Sequence, residues 1–288
     1  MSRQTKANLS LLLVAMFWGS SCILTKVGLE NIQEYNLIAL RFIIAFLATL
    51  PIFWNRHIFK DKQVIQKAAL LGFVLFVVLA LMSFGVDYTS ASNAGFLTCL
   101  AGIFIPFFNF FFLKQKIEGK IYLCVAIALA GMALLTVRGS IALNIGDVLC
   151  ILCSLAFAVH IILTNRFAQD VDPISLSILQ LGFVGLYSLV MTFAVETPHV
   201  PTNAHGWLVV LALSLLCSAF AFFIQTVAQK YTSSVYTGLI YSLEPAFAAI
   251  FAFAFLGEVL TGKGYMGAAL LFLSLILMEI DFQKIKQR

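Results

Sequence analysis

Charge is what this sequence has least of. Asp, Glu, Lys and Arg make up 11% of its 288 residues, where soluble domains carry about 25%. With 61% apolar residues and a mean hydropathy of +1.00, a soluble chain of this length would have no interior large enough for its apolar surface. No polar stretch between apolar runs is long enough to form a separate soluble domain. The 18 Lys and Arg residues are scattered over short connections, which excludes a nucleic-acid surface as the meaning of the +5 net charge. The sequence has no H-E-x-x-H, no G-x-S-x-G, no metal-spaced His/Asp cluster and no P-loop. No nucleophile–base pair, bound metal, cofactor or ATP site is therefore expected. Cys150 and Cys153 form a C-x-x-C without a second ligand pair, so they read as small buried hydrophobes rather than a metal or redox site. The apolar run after "SRQTK" is followed by no small-residue cleavage pattern and exceeds a signal core, so it reads as a retained helix.

What is present is a succession of long apolar runs. We read ten, over residues 7–28, 36–54, 68–86, 92–113, 121–137, 146–165, 173–195, 206–229, 234–256 and 264–280. A span needs about 20 mostly apolar residues, and "LLGFVLFVVLALMSFGV" is apolar all round, unlike the alternating strands of a barrel. The expected class is an all-α, multi-pass protein of the cell membrane, the bacterial inner or plasma membrane, with the lipid bilayer as its solvent. Putting both termini in the cytoplasm leaves fourteen Lys and Arg inside and only Lys26, Arg138 and Lys263 outside, with Arg41 within the second run. The positive-inside rule favours that orientation.

The chain also resembles itself. Shifting by 143 residues sets Tyr88–Lys120, "YTSASNAGFLTCLAGIFIPFFNFFFLKQKIEGK", on Tyr231–Lys263, "YTSSVYTGLIYSLEPAFAAIFAFAFLGEVLTGK", with 12 identities in 33 positions. Nearer the start of each half a shift of 139 sets "ILTK" (Ile23–Lys26) on "ILTN" (Ile162–Asn165). The expected organisation is two five-helix repeats, 1–139 and 140–288. Five is odd, so the second would enter the membrane from the opposite side, giving the inverted topology many secondary transporters use.

"FWGSS" (Phe17–Ser21) and "LEPAFAAIFAFAFLGEVLTGKGYMGAAL" (Leu243–Leu270), within two five-run halves, resemble the EamA-type family of the drug/metabolite transporter superfamily. The resemblance spans nearly the whole chain. The first half departs from the pattern: Gln115 stands where Glu258 stands in the second, and Pro106 is four residues later than the equivalent of Pro245. What the resemblance implies is a ten-helix carrier of small organic solutes, often an exporter, with no substrate named. It also implies a cavity lined by helices 1, 3, 4, 6, 8 and 9.

Helical spacing independently marks polar and aromatic stripes on four of those runs. They are Val14, Trp18, Ser21 and Thr25 in the first; Cys153, Phe157, His160 and Thr164 in the sixth; Ser218, Phe222, Gln225 and Gln229 in the eighth; and Thr237, Tyr241, Glu244 and Ala248 in the ninth. Under the 139 shift Trp18 meets Phe157, Ser21 meets His160 and Thr25 meets Thr164. Glu244 lies about 15 Å into its span at about 1.5 Å per residue, near the midplane, where a charge costs about 2.5–3.5 kcal/mol and normally faces a cavity or partner. Pro245 removes a backbone donor and frees the carbonyl of Tyr241, a place for a bend. Glu244 and His160 are candidates for solute binding or for carrying a coupling proton, and Pro245 for a hinge. The plainer alternatives stand beside these: an acid hydrogen-bonded to a neighbouring helix, an interior histidine, a tryptophan that only packs. Arg41 either snorkels to the surface or meets an anionic group, Tyr88 and Tyr231 read as interfacial anchors, and Glu258 as a loop contact. The small-residue faces "ALAGMAL" (Ala128–Leu134) and "GYMGAAL" (Gly264–Leu270) suit close packing or a homodimer.

The reading that joins these features is a secondary carrier of a small organic solute, foremost an amino acid or related metabolite, working by alternating access. The alternatives are a channel and a membrane-embedded receptor or enzyme; the spans show no filter-like interruption of the kind a channel displays.

Overall fold

A computed structural model describes residues 2–30, 32–56, 59–89, 91–111, 114, 119–136, 144–256 and 261–279, all helix and connections among the described residues. The positions of Gln115, Arg138 and Glu258 lie outside them. The helices are α1 (Arg3–Leu29), α2 (Glu34–Thr49), α3 (Lys62–Tyr88), α4 (Ala91–Cys99), α5 (Ala101–Phe111), α6 (Gly119–Thr136) and α7 (Ile145–Asp170). They continue with α8 (Pro173–Val195), α9 (Ala204–Ala212), α10 (Ala221–Gln229), α11 (Ser234–Tyr241), α12 (Glu244–Leu256) and α13 (Gly262–Glu279). A 3₁₀ turn follows α2 at Pro51–Arg56, and a π-helical segment, Leu213–Phe220, joins α9 to α10.

Short polar residues start these helices, as the loss of four N–H partners at each N-terminus requires. Ser2, Asp61, Asp172, Asn203 and Ser233 each accept from a backbone N–H two or three residues on. Asn144 and Asp147 cap α7 reciprocally.

Among the described residues, seven helical segments have the length and hydropathy to cross a bilayer, and two more apolar helices, 119–134 and 262–277, are shorter. The distribution of polarity agrees with lipid as the solvent. Phe193 is 70% exposed and Leu208 66%, while His160, Gln180, Gln225 and Gln229 are fully buried. Polar groups turn inward because no water in the hydrocarbon layer would satisfy them.

Helices held together in lipid rely on close packing. At the crossing of α3 and α7, a Cβ on Gly146 would lie 2.7 Å from the Gly85 carbonyl oxygen and 2.8 Å from the Thr89 nitrogen. Gly146→Val is therefore expected to destabilise the fold by at least about 1–3 kcal/mol, the usual range for overpacking. Thermal unfolding in detergent measures it, with Gly119→Ala, whose added methyl meets nothing within 4 Å, as the neutral control. The small-residue faces of α6 and α13 meet each other inside one chain. A Cβ on Gly131 would lie 2.8 Å from the Gly267 carbonyl oxygen, and Ser274 Oγ donates to the Cys124 carbonyl at 2.9 Å.

Two runs read as continuous helices are broken. Leu100 separates α4 from α5, and Ser242–Leu243 separate α11 from α12. Pro245 explains the second break, since it cannot donate to the Tyr241 carbonyl, which accepts instead from Cys99 Sγ at 3.9 Å. Each break closes with a tight bond to the third residue back, Leu100 N to Leu97 O at 3.3 Å and Leu243 N to Ile240 O at 3.1 Å. The broken helices cross beside their breaks, where a Cβ on Gly102 would lie 2.8 Å from Ser242 Oγ and 3.1 Å from the Gly238 carbonyl oxygen. Pro106 lies inside α5, away from the break.

Both faces of the bundle are tied by hydrogen bonds. On the face that carries the start of α1, Thr232 Oγ1 donates to Asn8 Oδ1 at 2.7 Å. Asn165 Nδ2 there donates to the carbonyls of Gln229 and Thr232, both at 2.7 Å, and Lys67 pairs with Asp170 at 2.7 Å. On the opposite face Thr89 Oγ1 donates to Asp147 Oδ1 at 2.7 Å, and Lys26 Nζ to the Thr89 carbonyl at 3.3 Å. There Glu196 also accepts from the Tyr35 and Asn36 nitrogens at the start of α2, both at 2.8 Å.

Candidate binding cavity

The two breaks border a cavity with about 60 Å³ of room for the centre of a water-sized sphere. One water needs about 10–15 Å³ on that measure, so the space suits a solute of only a few heavy atoms. Its aromatic wall comes from Trp18, Phe157, Phe222 and Tyr241. The indole of Trp18 is the hub: its ring centroid is 4.9 Å from Tyr241, 5.0 Å from Phe222 and 5.7 Å from Phe157. Its Nε1 donates to the Cys217 carbonyl at 2.8 Å, which fixes the ring against rotation.

Cys217 belongs to the π-helical segment, where hydrogen bonding departs from the α pattern. Its carbonyl also accepts from Arg41 Nη2 at 3.2 Å, while Arg41 Nε donates to Ser218 Oγ at 2.5 Å. Arg41 is accordingly 5% exposed and lines the cavity. Of the two readings of this residue, the snorkelling one fails, because its donors have partners inside the bundle. Opposite the arginine in charge, Glu244 also lines the cavity, at the first residue of α12. Its carboxylate has no hydrogen bond or ion pair with any of the described residues. Gly19 lets α1 reach that point: a Cβ there would lie 2.9 Å from the Glu244 carbonyl oxygen and from the Ala248 nitrogen.

The remaining candidates separate by depth. Ser21 and Cys153 line the cavity with the residues already named. His160, Thr164, Gln225, Gln229 and Thr237 do not; all are fully buried, on α7, α10 and α11. The Thr164 and Thr237 hydroxyls donate to carbonyls four residues back, His160 and Ser233. Thr25 is buried outside the cavity, its hydroxyl without a partner. Helical spacing passed over the apolar wall of α3, Leu75, Leu79 and Met82, although the repeat pairs these with Ser218, Phe222 and Gln225. It also passed over Cys99 and Gly102 at the first break. Cys150 and Cys153 are buried, and no group of three or more metal-ligating side chains occurs among the described residues.

Sequence comparison decides the family. The EamA-like transporter family matches residues 5–137 and again residues 144–280. The chain belongs to that family. An uncharacterized transporter of Archaeoglobus fulgidus is 32% identical over 275 residues, covering 95% of this chain and 86% of the relative. The uncharacterized transporter YetK of Bacillus subtilis is 24% identical, covering 93% of this chain and 84% of its own length. A protein of known crystal structure shares the fold with a TM-score of 0.79 at 17% identity, covering 96% of each chain. This EamA-like chain is thus a multi-pass transporter of the cell membrane, and its partners are a small solute and the surrounding lipid.

Proposed function

We propose that this chain is a secondary carrier of a small amino-bearing solute, an amino acid or related metabolite, that works by alternating access. The observation that carries the reading is Glu244: a half-buried carboxylate in a membrane interior, with no hydrogen bond or ion pair among the described residues, facing an aromatic-walled cavity at a helix break. A buried charge is normally paired, so its partner is to be sought in the solute. Arg41 on the same cavity adds a positive group for a carboxylate end. Discontinuous helices beside a central site suit a carrier, because their ends offer backbone groups to a ligand.

The finer architecture is ten spans in two inverted halves, 1–139 and 140–288, with both termini in the cytoplasm. Supporting it, the same bonds recur under the two shifts found in the sequence. Thr89 to Asp147 and Lys26 to the Thr89 carbonyl on one face correspond to Thr232 to Asn8 and Asn165 to the Thr232 carbonyl on the other. The tight bond Leu100 to Leu97 corresponds to Leu243 to Ile240. An inverted repeat requires such pairs on opposite faces.

The test is counterflow into proteoliposomes loaded with unlabelled solute, using labelled amino acids, nucleosides and amines. The expected result is transient accumulation of one or more amine-bearing solutes. Flux independent of the counter-solute would make the chain a channel, and no flux of any amine would end the reading.

A further inference from the structure

Beneath the aromatic wall, toward the face that carries the start of α1, lies a polar layer that the cavity does not use. Its hydrogen-bond directions can be followed from one end. Thr226 Oγ1 donates to the Phe222 carbonyl at 2.8 Å, so it accepts from Gln180 Nε2 at 3.1 Å. The Gln180 amide oxygen therefore faces His160 Nε2, 3.4 Å away, and that nitrogen must carry the proton. A neutral imidazole with its proton on Nε2 leaves Nδ1 as a lone pair. In the same layer Gln229 Nε2 donates to the Ile161 carbonyl at 3.2 Å, and Gln225 Nε2 to Gln229 Oε1 at 3.4 Å. That leaves Gln225 Oε1 as an acceptor. His160 Nδ1 and Gln225 Oε1 are both buried and both without a partner.

The two acceptors are neighbours by connection. His160 touches the Phe222 ring, with centroids 6.2 Å apart, and Gln225 stands one turn further along the same helix. The Gln229 bond to Ile161, next to His160, closes the layer below them. Buried polar atoms are nearly always paired, so two orphans of the same sense in one layer call for an explanation. A ligand with N–H groups supplies what both lack, whereas an anion or a bare carbonyl would face two lone pairs.

We infer that His160 Nδ1 and Gln225 Oε1 form a second station for the amino group of the solute, between the Glu244 cavity and the face that carries the start of α1. The inference rests on the carrier reading above. A solute whose ammonium leaves Glu244 passes the Phe222 ring and is received by two acceptors already stripped of water, with their other ends held by Gln180 and Gln229. Seen this way, the polar layer is a step of the path rather than a plug, and Asn165, Asn8 and Thr232 close the way beyond it.

The experiment uses the full chain with labelled ethanolamine and labelled L-alanine as probes. Equilibrium binding in detergent and counterflow in proteoliposomes are measured for wild type, Gln225→Met, Gln225→Glu and His160→Phe. Methionine keeps the length of the side chain and removes both the acceptor and the donor to Gln229 Oε1, whereas a neutral glutamic acid keeps an acceptor and has an O–H to donate to Gln229. Counterflow by Gln225→Met and His160→Phe is expected to fall about tenfold, the loss of a good hydrogen bond to a charged group. Binding at the Glu244 cavity should remain, and Gln225→Glu, which keeps an acceptor, should lose less flux than Gln225→Met. Wild-type flux in Gln225→Met and His160→Phe would overturn the station and leave the carrier intact. So would an equal fall in Gln225→Met and Gln225→Glu, since packing alone would then explain both. Should wild type neither bind nor carry any amine, the carrier reading fails and the station falls with it.

Discussion

Glu244→Gln is expected to lower counterflow of an amine-bearing solute some hundredfold or more, and to leave the protein as stable as before or more so. Removing one partner of a desolvated, hydrogen-bonded charge pair costs about 2–5 kcal/mol of binding, and each 1.4 kcal/mol is about tenfold. The sign of the stability change is what separates the two meanings of this residue. An acid kept for structure would have a neighbour, and its replacement would strand that neighbour in a dry interior. Glu244 has no such neighbour among the described residues; it faces the cavity from the first position of α12. Making the side chain neutral removes a half-buried charge and breaks no hydrogen bond or ion pair among the described residues, so the melting temperature should hold or rise. Counterflow and detergent melting of the same preparations check both halves. Full transport by Glu244→Gln, or lost transport with a sharp fall in melting temperature, would make the carboxylate structural.

How far the sequence reached can be judged from the stripes. Periodicity in 3.6 assigns a face, and it brought Trp18, Phe157, Phe222, Tyr241 and Glu244 to one side of their helices, where they line a single cavity. It carries no measure of depth along the axis. Thr164 and Thr237 lie on the same stripes yet sit beyond the cavity with their hydroxyls turned back on their own helices, as threonine in a helix commonly does. His160 and Gln225 were likewise grouped with Glu244 but belong to a separate layer. Arg41 was ambiguous because a position five residues into a run permits either a surface or an interior. The Cys217 carbonyl and Ser218 decide it, and the π-helical segment that holds them leaves no sign in "LSLLCSAF". Pro245 announced one helix break. The other, at Leu100, has no proline beside it, and residues 92–113 read as one run; the 143-residue shift does pair Leu100 with Leu243.

Breaking the knot around Thr232 is expected to open the face that carries the start of α1. In the double variant Asn165→Leu, Thr232→Val, three hydrogen bonds of 2.7 Å disappear: Asn165 to the Gln229 and Thr232 carbonyls, and Thr232 to Asn8. At about 1 kcal/mol each, the closed form loses about 3 kcal/mol, a shift of some hundredfold between two conformations. Cys99 and Cys153 line the cavity and report on it. A membrane-impermeant maleimide applied to that face should label them far faster in the variant than in wild type, with cavity-binding solute slowing the reaction. The comparison with the opposite face sharpens the prediction. There the corresponding partners of Thr89 are charged, Asp147 and Lys26, where the first face has the amides Asn8 and Asn165. Hydrogen bonds to charged groups contribute about 1.5–3 kcal/mol against about 1 for neutral ones. Thr89→Val removes the bond to the Asp147 carboxylate and leaves the one from Lys26 to the Thr89 carbonyl, so it should loosen its own face and destabilise the chain more than Thr232→Val. If the double variant labels no faster than wild type, the threonine knots persist in every conformation. They are then not the barrier, and on the alternating-access reading proposed above the closure is to be sought in other contacts of that face.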